Sequence, residues 1–443
     1  MRSSHNPIDG QGKQYAKLIL AVLSTLAVAL CIFGLLKKIR GMPFAWMTDH
    51  KNPNGDSWII LRNTLQRLHE NGPDGLYDLT LAGADKFQYP PSSLLPFHFL
   101  ELIGFQPSNA VLNLGSAVAT FLNVVVVYFI YRAAEQKFRI GEQQRTIADN
   151  SQFLALSFVA LAILFYPLNR AYMLGQVQTV INLLTALALL AWLHDRTAIA
   201  GALIGAVCLL KPQYSMFAIW GLLRRDHSFL AAFVAVTAIV GAVSLLVYGW
   251  QIHVGYLKLL SELSRLGESY YPNQSVNGLV HRWLYNGSNL DFSPHDYAPY
   301  HVTVHAATLV SGILIIGCAL LFRGDDSEEG RALDILTAIV SFTVGSPIAW
   351  EHHYGVLAAV FPVLFLSLCR ATPNSTRALA LAVFAGSVFL TGLYLPMVER
   401  FAETPLNFLQ SPILFGALTL LGLLYWRRHV LRVSTSTRAS AFS

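Results

Sequence analysis

Residues 228–250 read SFLAAFVAVTAIVGAVSLLVYGW, a stretch with no charged side chain. At 1.5 Å of rise per residue, a helix of this length crosses the roughly 30 Å hydrocarbon layer of a bilayer. Comparable apolar runs recur along the chain. They are Tyr15 to Leu36, Pro107 to Tyr131, Ser151 to Leu168, Val177 to Leu193, Thr197 to Leu210, Gln213 to Leu223, His301 to Phe322, Leu333 to Val344, Tyr354 to Cys369, Ala378 to Leu395 and Gln410 to Trp426. With 54% hydrophobic and 13% charged residues in 443, the chain is far from a soluble domain, whose charged fraction is about a quarter. The expected fold is therefore all-α, a polytopic integral membrane protein with about twelve spans by the length criterion. The first run is too long for the apolar core of a signal peptide and no A-x-A-like site follows it, so it reads as a retained helix.

The formal charge of +6 does not point to nucleic acid. The basic residues sit singly or in pairs between apolar runs rather than on one clustered face. Read as topology signals, Arg132, Lys137, Arg139 and Arg145, then Arg196, Arg224 and Arg225, Arg323 and Arg331, Arg370 and Arg377, and Arg427, Arg428, Arg432 and Arg438 fall in alternate connections. The positive-inside rule then puts both termini in the cytoplasm, with Lys37, Lys38 and Arg40 as the one exception. Cys31, Cys208, Cys318 and Cys369 lie in apolar runs without C-x-x-C spacing, which fits packing rather than a disulfide framework or zinc site.

One transmembrane domain over residues 1–433 is expected, followed by a disordered Ser/Thr-rich tail, 434–443. Two long outer loops interrupt it, 37–106 and 251–300, and loops of that length are uncommon unless they have a function. In the first, Trp58, Leu61, Leu65 and Leu68 repeat at helical spacing opposite Arg62, Gln66 and Arg67, as in a helix lying at the interface. The stretch from Pro90 to Phe105 is short and carries Pro96, His98 and Glu101, so it reads as an outer-surface or re-entrant helix.

This topology collects the unusual polar clusters on one face of the membrane: Asp56, Tyr89-Pro90-Pro91, Asn169-Arg170, Gly175-Gln176, Lys211-Pro212, Asn273-Gln274-Ser275, His281-Arg282 and residues 346–354, SPIAWEHHY. Asp56 opens the amphipathic helix, where it is either an N-cap or a carboxylate held at the membrane surface. Lys211 lies between two short apolar runs, and an ammonium at mid-bilayer costs roughly 2.5–3.5 kcal/mol. It is thus a snorkelling helix-end lysine or a contact for an anion such as a lipid phosphate. Arg170, His281 and Arg282 are further cations on the same side. His352 and His353 either pack at the headgroup level or act on a carboxylate or leaving group; adjacent histidines point different ways on a helix, so a metal is not expected there.

The ordered set Asp56 with Leu76-Tyr77, Phe87-Gln88-Tyr89-Pro90-Pro91, Gly175-Gln176, Lys211-Pro212, Asn273-Gln274-Ser275 and Ser346-Pro347-Ile348-Ala349-Trp350-Glu351-His352-His353 resembles glycosyltransferase family 87. These are polytopic enzymes of the GT-C fold that use polyprenyl-phosphate sugars, among them mannosyltransferases of phosphatidylinositol mannoside synthesis and arabinofuranosyltransferases. Ala349 stands where serine is expected and Leu174 where asparagine is common, and neither departure removes an acid-base group. The resemblance implies that Asp56 is the catalytic base, that His352 or His353 assists it, and that Lys211 lies near the donor phosphate. Tyr89, Arg170, Gln176, Asn273, Gln274, His281, Arg282 and Trp350 complete the expected substrate-binding set.

The expected reaction is an inverting transfer of one sugar, with mannose the leading choice, from a polyprenyl-phosphate donor to a glycolipid or glycan acceptor. It takes place on the extracytoplasmic face of a bacterial cytoplasmic membrane. The leaving phosphate needs donors rather than protonation, so no cofactor or metal is called for. A lipid or sugar transporter, or an envelope polysaccharide polymerase or ligase, is the alternative reading. Transporters place their polar residues near the membrane midplane, whereas here they gather at helix ends and in outer loops.

Overall fold

The computed structural model describes residues 55–81, 86–138, 150–293, 295–371 and 375–440. The expected first span, Tyr15 to Leu36, lies outside them. Among the described residues the secondary structure is helical, with one isolated bridge between Asn273 and Trp350.

In chain order the α-helices are α1 Asp56–Asn71, α2 Leu76–Leu81, α3 Leu95–Leu102, α4 Asn109–Lys137, α5 Ser151–Leu164, α6 Tyr166–Met173, α7 Gln178–Leu193, α8 Thr197–Cys208, α9 Met216–Arg224, α10 His227–Tyr248, α11 Trp250–Leu266, α12 Val276–Trp283, α13 Val302–Leu321, α14 Glu328–Val344, α15 Leu357–Arg370, α16 Ser375–Gly392 and α17 Pro412–Ser440. Short 3₁₀ turns over Pro91–Leu94, Pro212–Ser215 and Glu351–Val356 lead into α3, α9 and α15. Proline at the start of the first two supplies the fixed φ such turns need.

Five of these helical segments are long and apolar enough to cross a membrane, or six if α5 and α6 count as one span bent by 42°. The bend falls where Pro167 opens α6, since proline cannot continue the preceding hydrogen-bond ladder. The count of about twelve is not reproduced by length alone. Several expected spans form as shorter helices, such as α7 at 16 residues and α8 at 12. Within the expected outer loop 251–300 lie most of α11 and all of α12, and α17 runs to Ser440.

The core is α14 and α15. Every residue from Ala332 to Val344 and from Leu357 to Cys369 is buried. The lipid-facing layer includes α10 and α13, which carry exposed Ile239, Leu246, Ile313 and Leu314. Between them α8 and α10 approach closely through Gly201 and Gly205. A Cβ on Gly201 would sit 2.1 Å from the Phe229 carbonyl oxygen, the small-residue contact by which membrane helices gain packing.

The two ends of the bundle are chemically distinct. At one end Asp334 accepts from Arg224 Nε at 2.5 Å and Arg428 Nη2 at 2.7 Å. Beside it Glu329 takes Arg427 at 2.6 Å and Arg370 at 3.0 Å, and Lys137 bridges Asp195 and Glu328. These cations come from the connections that the charge rule assigns to one side of the membrane.

At the other end α1 docks on the turn after α6. Asp56 N–H donates to Leu174 O at 2.9 Å and Ser57 N–H to Gly175 O at 3.2 Å. Two of the free amides of α1 are thereby satisfied by another segment's backbone. The approach requires glycine on both sides. Gly55 and Gly175 have φ of 62° and 66°, and a Cβ on Gly175 would lie 2.7 Å from Gly55 Cα and N. The apolar stripe of α1 is buried against protein, with Leu61 and Leu65 each 1% exposed and the Trp58 ring 6.3 Å from that of Phe97, tilted by 46°. This corrects the reading of a helix lying in the lipid interface.

Gly175→Ala is expected to destabilise the protein by more than the roughly 1–2 kcal/mol of a left-handed alanine, because it adds a backbone clash. Gly104→Ala, at φ 75° with open space around it, should lose only the conformational part. Unfolding midpoints of the two variants in detergent check this.

Candidate active site

Asp56 is the first residue of α1, and the N-cap position belongs to Gly55, with no side-chain cap bond. The carboxylate is therefore not spent on the helix end. Its Oδ2 accepts from Gln176 Nε2 at 2.6 Å, a charge-assisted bond. Gln176 is held in turn: its Oε1 accepts from Ser57 Oγ at 2.5 Å and from the Tyr89 hydroxyl at 3.1 Å. Ser57 Oγ also takes the Val177 N–H at 3.1 Å. Tyr89 is placed by the Tyr77 hydroxyl, which donates to its carbonyl at 2.8 Å. Asp56 itself is open to solvent at its surface, yet protein hems in its carboxyl. That desolvation raises its pKa above the usual carboxylate range, while Gln176 and the Arg170 charge pull it down.

Arg170 projects from α6 and connects Asp56 to the second half of the site. Its Nε lies 3.8 Å from Glu351 Oε2, and the same Oε2 accepts from the Tyr166 hydroxyl at 2.7 Å. Glu351 opens the 3₁₀ turn that also carries His352 and His353, whose rings meet edge to face at 4.7 Å. Arg170 is within electrostatic reach of His352, and Lys211 is within reach of both imidazoles. Lys211 sits in the short connection between α8 and the Pro212–Ser215 turn, beside the first outer loop, because Ser92 Oγ donates to Leu209 O at 2.7 Å. It is buried with no hydrogen-bond partner for its Nζ. Burial pushes its ammonium well below the usual lysine range, so an anion arriving there would stabilise the charged form.

Asp56, Tyr89, Gln176, Arg170, Lys211, His352 and His353 are thus joined by a continuous set of bonds and charges, although up to three hundred residues separate them in sequence. The remaining expected residues have other work. Asn273 Oδ1 accepts from Ala349 N–H at 3.0 Å, and Gln274 bonds Tyr271 and Gln410 carbonyls and the Ile413 N–H. Asn273 thus ties the 271–275 segment to the stretch just before the histidine-bearing turn, and Gln274 ties it to the stretch leading into α17. Trp350 packs with Tyr270 and Phe292.

His281 and Arg282 differ from the expected phosphate cations. Both ring nitrogens of His281 are engaged, Nε2 with Leu266 O at 2.6 Å and Nδ1 with the Asn286 amide at 3.0 Å, and burial lowers its pKa. Arg282 is fully buried and donates to Asn273 O and Ser411 Oγ. A hydropathy-based reading places a polar pair at the surface, but the loop folds over this one.

Sequence reasoning missed Ser57 and Tyr166 and gave Glu351 no role. The signal for Glu351 was present, since a carboxylate on the same face as Arg170 invites pairing. A separate cleft of about 250 Å³, lined by Tyr77, Asp78, Trp250, Gly255 and Lys258 between α2 and α11, does not include Asp56.

The sequence profile of glycosyltransferase family 87 matches residues 87–347. Among curated proteins, the chain is 28% identical to the polyprenol-phosphate-mannose-dependent alpha-(1-2)-phosphatidylinositol pentamannoside mannosyltransferase of Mycobacterium tuberculosis, over 82% of this chain and 77% of that one. It is 26% identical to the protein of the same description from Mycolicibacterium smegmatis, over 75% and 74% of the two chains. A phosphatidylinositol mannoside mannosyltransferase of the latter organism is 25% identical over 73% and 72%. The profile runs from the Phe87-Gln88-Tyr89 segment through α14 to Pro347, more than half of the sequence, and the chain accordingly belongs to glycosyltransferase family 87 as a multi-pass membrane glycosyltransferase.

Proposed function

We propose that this enzyme is an inverting mannosyltransferase that takes mannose from a polyprenyl-phosphate donor and delivers it to a glycolipid or glycan hydroxyl on the extracytoplasmic face of a bacterial cytoplasmic membrane. The relatives' own use of polyprenol-phosphate mannose supports the donor. Both termini are assigned to the cytoplasm by the distribution of Arg and Lys. The observation that carries the reading is an Asp56 carboxylate fixed by Gln176 at an open mouth, electrostatically linked through Arg170 and His352 to a buried, unpaired Lys211.

In the proposed step, the acceptor hydroxyl gives its proton to the free oxygen of Asp56 and its oxygen attacks the anomeric carbon. The bond from that carbon to the phosphate oxygen breaks, and its electron pair leaves on polyprenyl phosphate, which gains one negative charge. Lys211 and Arg170 receive that charge as electrostatic donors, and Glu351 holds Arg170 in place. His352 or His353 orients the reacting groups. Asn273, Gln274, His281 and Arg282 act by supporting the turn.

Asp56→Asn keeps the Gln176 contact in shape but removes the base. With purified enzyme, polyprenyl-phosphate mannose and acceptor, transfer is expected to fall about 10²–10⁴-fold with donor binding retained. A variant with wild-type turnover sinks the assignment.

Lys211→Met should raise the donor KM at least about tenfold, the loss of roughly one charge-assisted contact. An unchanged KM would exclude a phosphate contact.

A base works only when ionised, so activity is present above the Asp56 pKa and is lost as pH falls through it. The acid limb of kcat/KM is expected above 3.8, the ordinary value. Gln176→Leu removes a bond that lowers the pKa and should move the limb further up, which a pH–rate profile of the two proteins measures.

A further inference from the structure

Away from Asp56, the far end of α1 brings a second set of titratable side chains together. His69 in the last turn of α1 meets His98 and Glu101 of α3, and one potential ligand atom from each lies within 4.8 Å of the other two. His98 and Glu101 are three residues apart, hence on one helix face. His69 reaches across from the other helix.

None of these ligand atoms is consumed by another. His69 Nε2 stands 3.7 Å from Glu101 Oε2, beyond hydrogen-bond length. The two imidazoles are 6.0 Å apart at 60°, too tilted to stack. His98 Nδ1 is buried and has no hydrogen-bond partner, while its ring is fixed edge-on against Tyr248 at 5.8 Å.

Two imidazoles and a carboxylate are the donor set of a zinc site with one open position. Imidazole donors favour zinc over magnesium or calcium, which take oxygen ligands. Bonds of zinc length put tetrahedral donors roughly 3.3 Å apart. Closing the cluster therefore takes shifts of at most about 1.5 Å. His69 and Glu101, whose side chains are 52% and 29% exposed, have the freedom to make them around the fixed His98.

We propose that His69, His98 and Glu101 form a zinc-class divalent cation site that fastens the end of α1 to α3, with water completing the shell. The ion lies at the opposite end of α1 from Asp56, so its role is to hold the platform that carries the carboxylate, outside the chemistry of sugar transfer.

The test uses full-length protein purified without a polyhistidine tag, stripped with a chelator and re-equilibrated with zinc chloride in excess magnesium. Bound metal is counted by mass spectrometry after desalting. Wild type and Asp56→Asn should each retain one zinc equivalent, and His98→Ala and His69→Gln less than a tenth of that. Zinc should raise the melting temperature of wild type but not of the two histidine variants. His69→Gln changes a half-exposed helix end, and its melting temperature without zinc should match wild type, separating lost metal from lost fold. Equal zinc retention in wild type and both histidine variants, or no zinc in wild type, overturns the site.

Discussion

The candidate site of this enzyme depends on one backbone crossing, where the first turn of α1 lies on the turn after α6. With Gly55 and Gly175 face to face, Asp56 N–H and Ser57 N–H reach the Leu174 and Gly175 carbonyls. The contact fixes where a helix begins, and with it the direction of the only acidic side chain in that first turn. Every later bond in the cluster presupposes it. Gln176 can reach Asp56 because it follows Gly175 directly, and Ser57 can reach Gln176 because it follows Asp56. Side chains alone, on loops of this length, would have to give up conformational freedom of about 1–2 kcal/mol per residue to hold the same geometry.

Charge is handled differently at the two ends of the bundle. Around Asp334 and Glu329 each buried carboxylate is matched by two guanidinium groups. Such pairs gain little net energy but are costly to break, which suits a region that must not move. Around Lys211 the matching is left incomplete. A buried ammonium without a partner is destabilising, and in the proposed mechanism the donor phosphate offsets that cost. Glu351 prevents the same from happening at Arg170, holding it at 3.8 Å so that only part of its charge is compensated.

The all-helical membrane fold was legible because apolar runs such as residues 228–250 and 301–322 exceed what any soluble helix needs. The charge pattern led to the expectation of one membrane side for Asp56, Gln176, Arg170, Lys211 and the two histidines, but their convergence is seen only in the folded chain. What the sequence could not convey was depth. His281 and Arg282 read as surface cations because Asn286, Leu266, Asn273 and Ser411, which bury them, are known as partners only once the loop has closed. The stripe of α1 has the same periodicity whether it faces lipid or α3, and only the neighbouring helix decides. Helix count is less directly readable, because runs like Thr197 to Leu210 form helices shorter than a membrane span.

The Asp334 cluster has a consequence for how the chain is made. Its two arginines arrive at very different times during synthesis: Arg224 precedes Asp334 by 110 residues, and Arg428 follows it by 94. Until α17 is in place, the carboxylate holds one of these cations instead of two, and α14 lacks the wall that α17 provides. The nascent protein therefore passes through a stage in which its centre is exposed to lipid and to insertion or quality-control machinery. Seating of α17 closes that window.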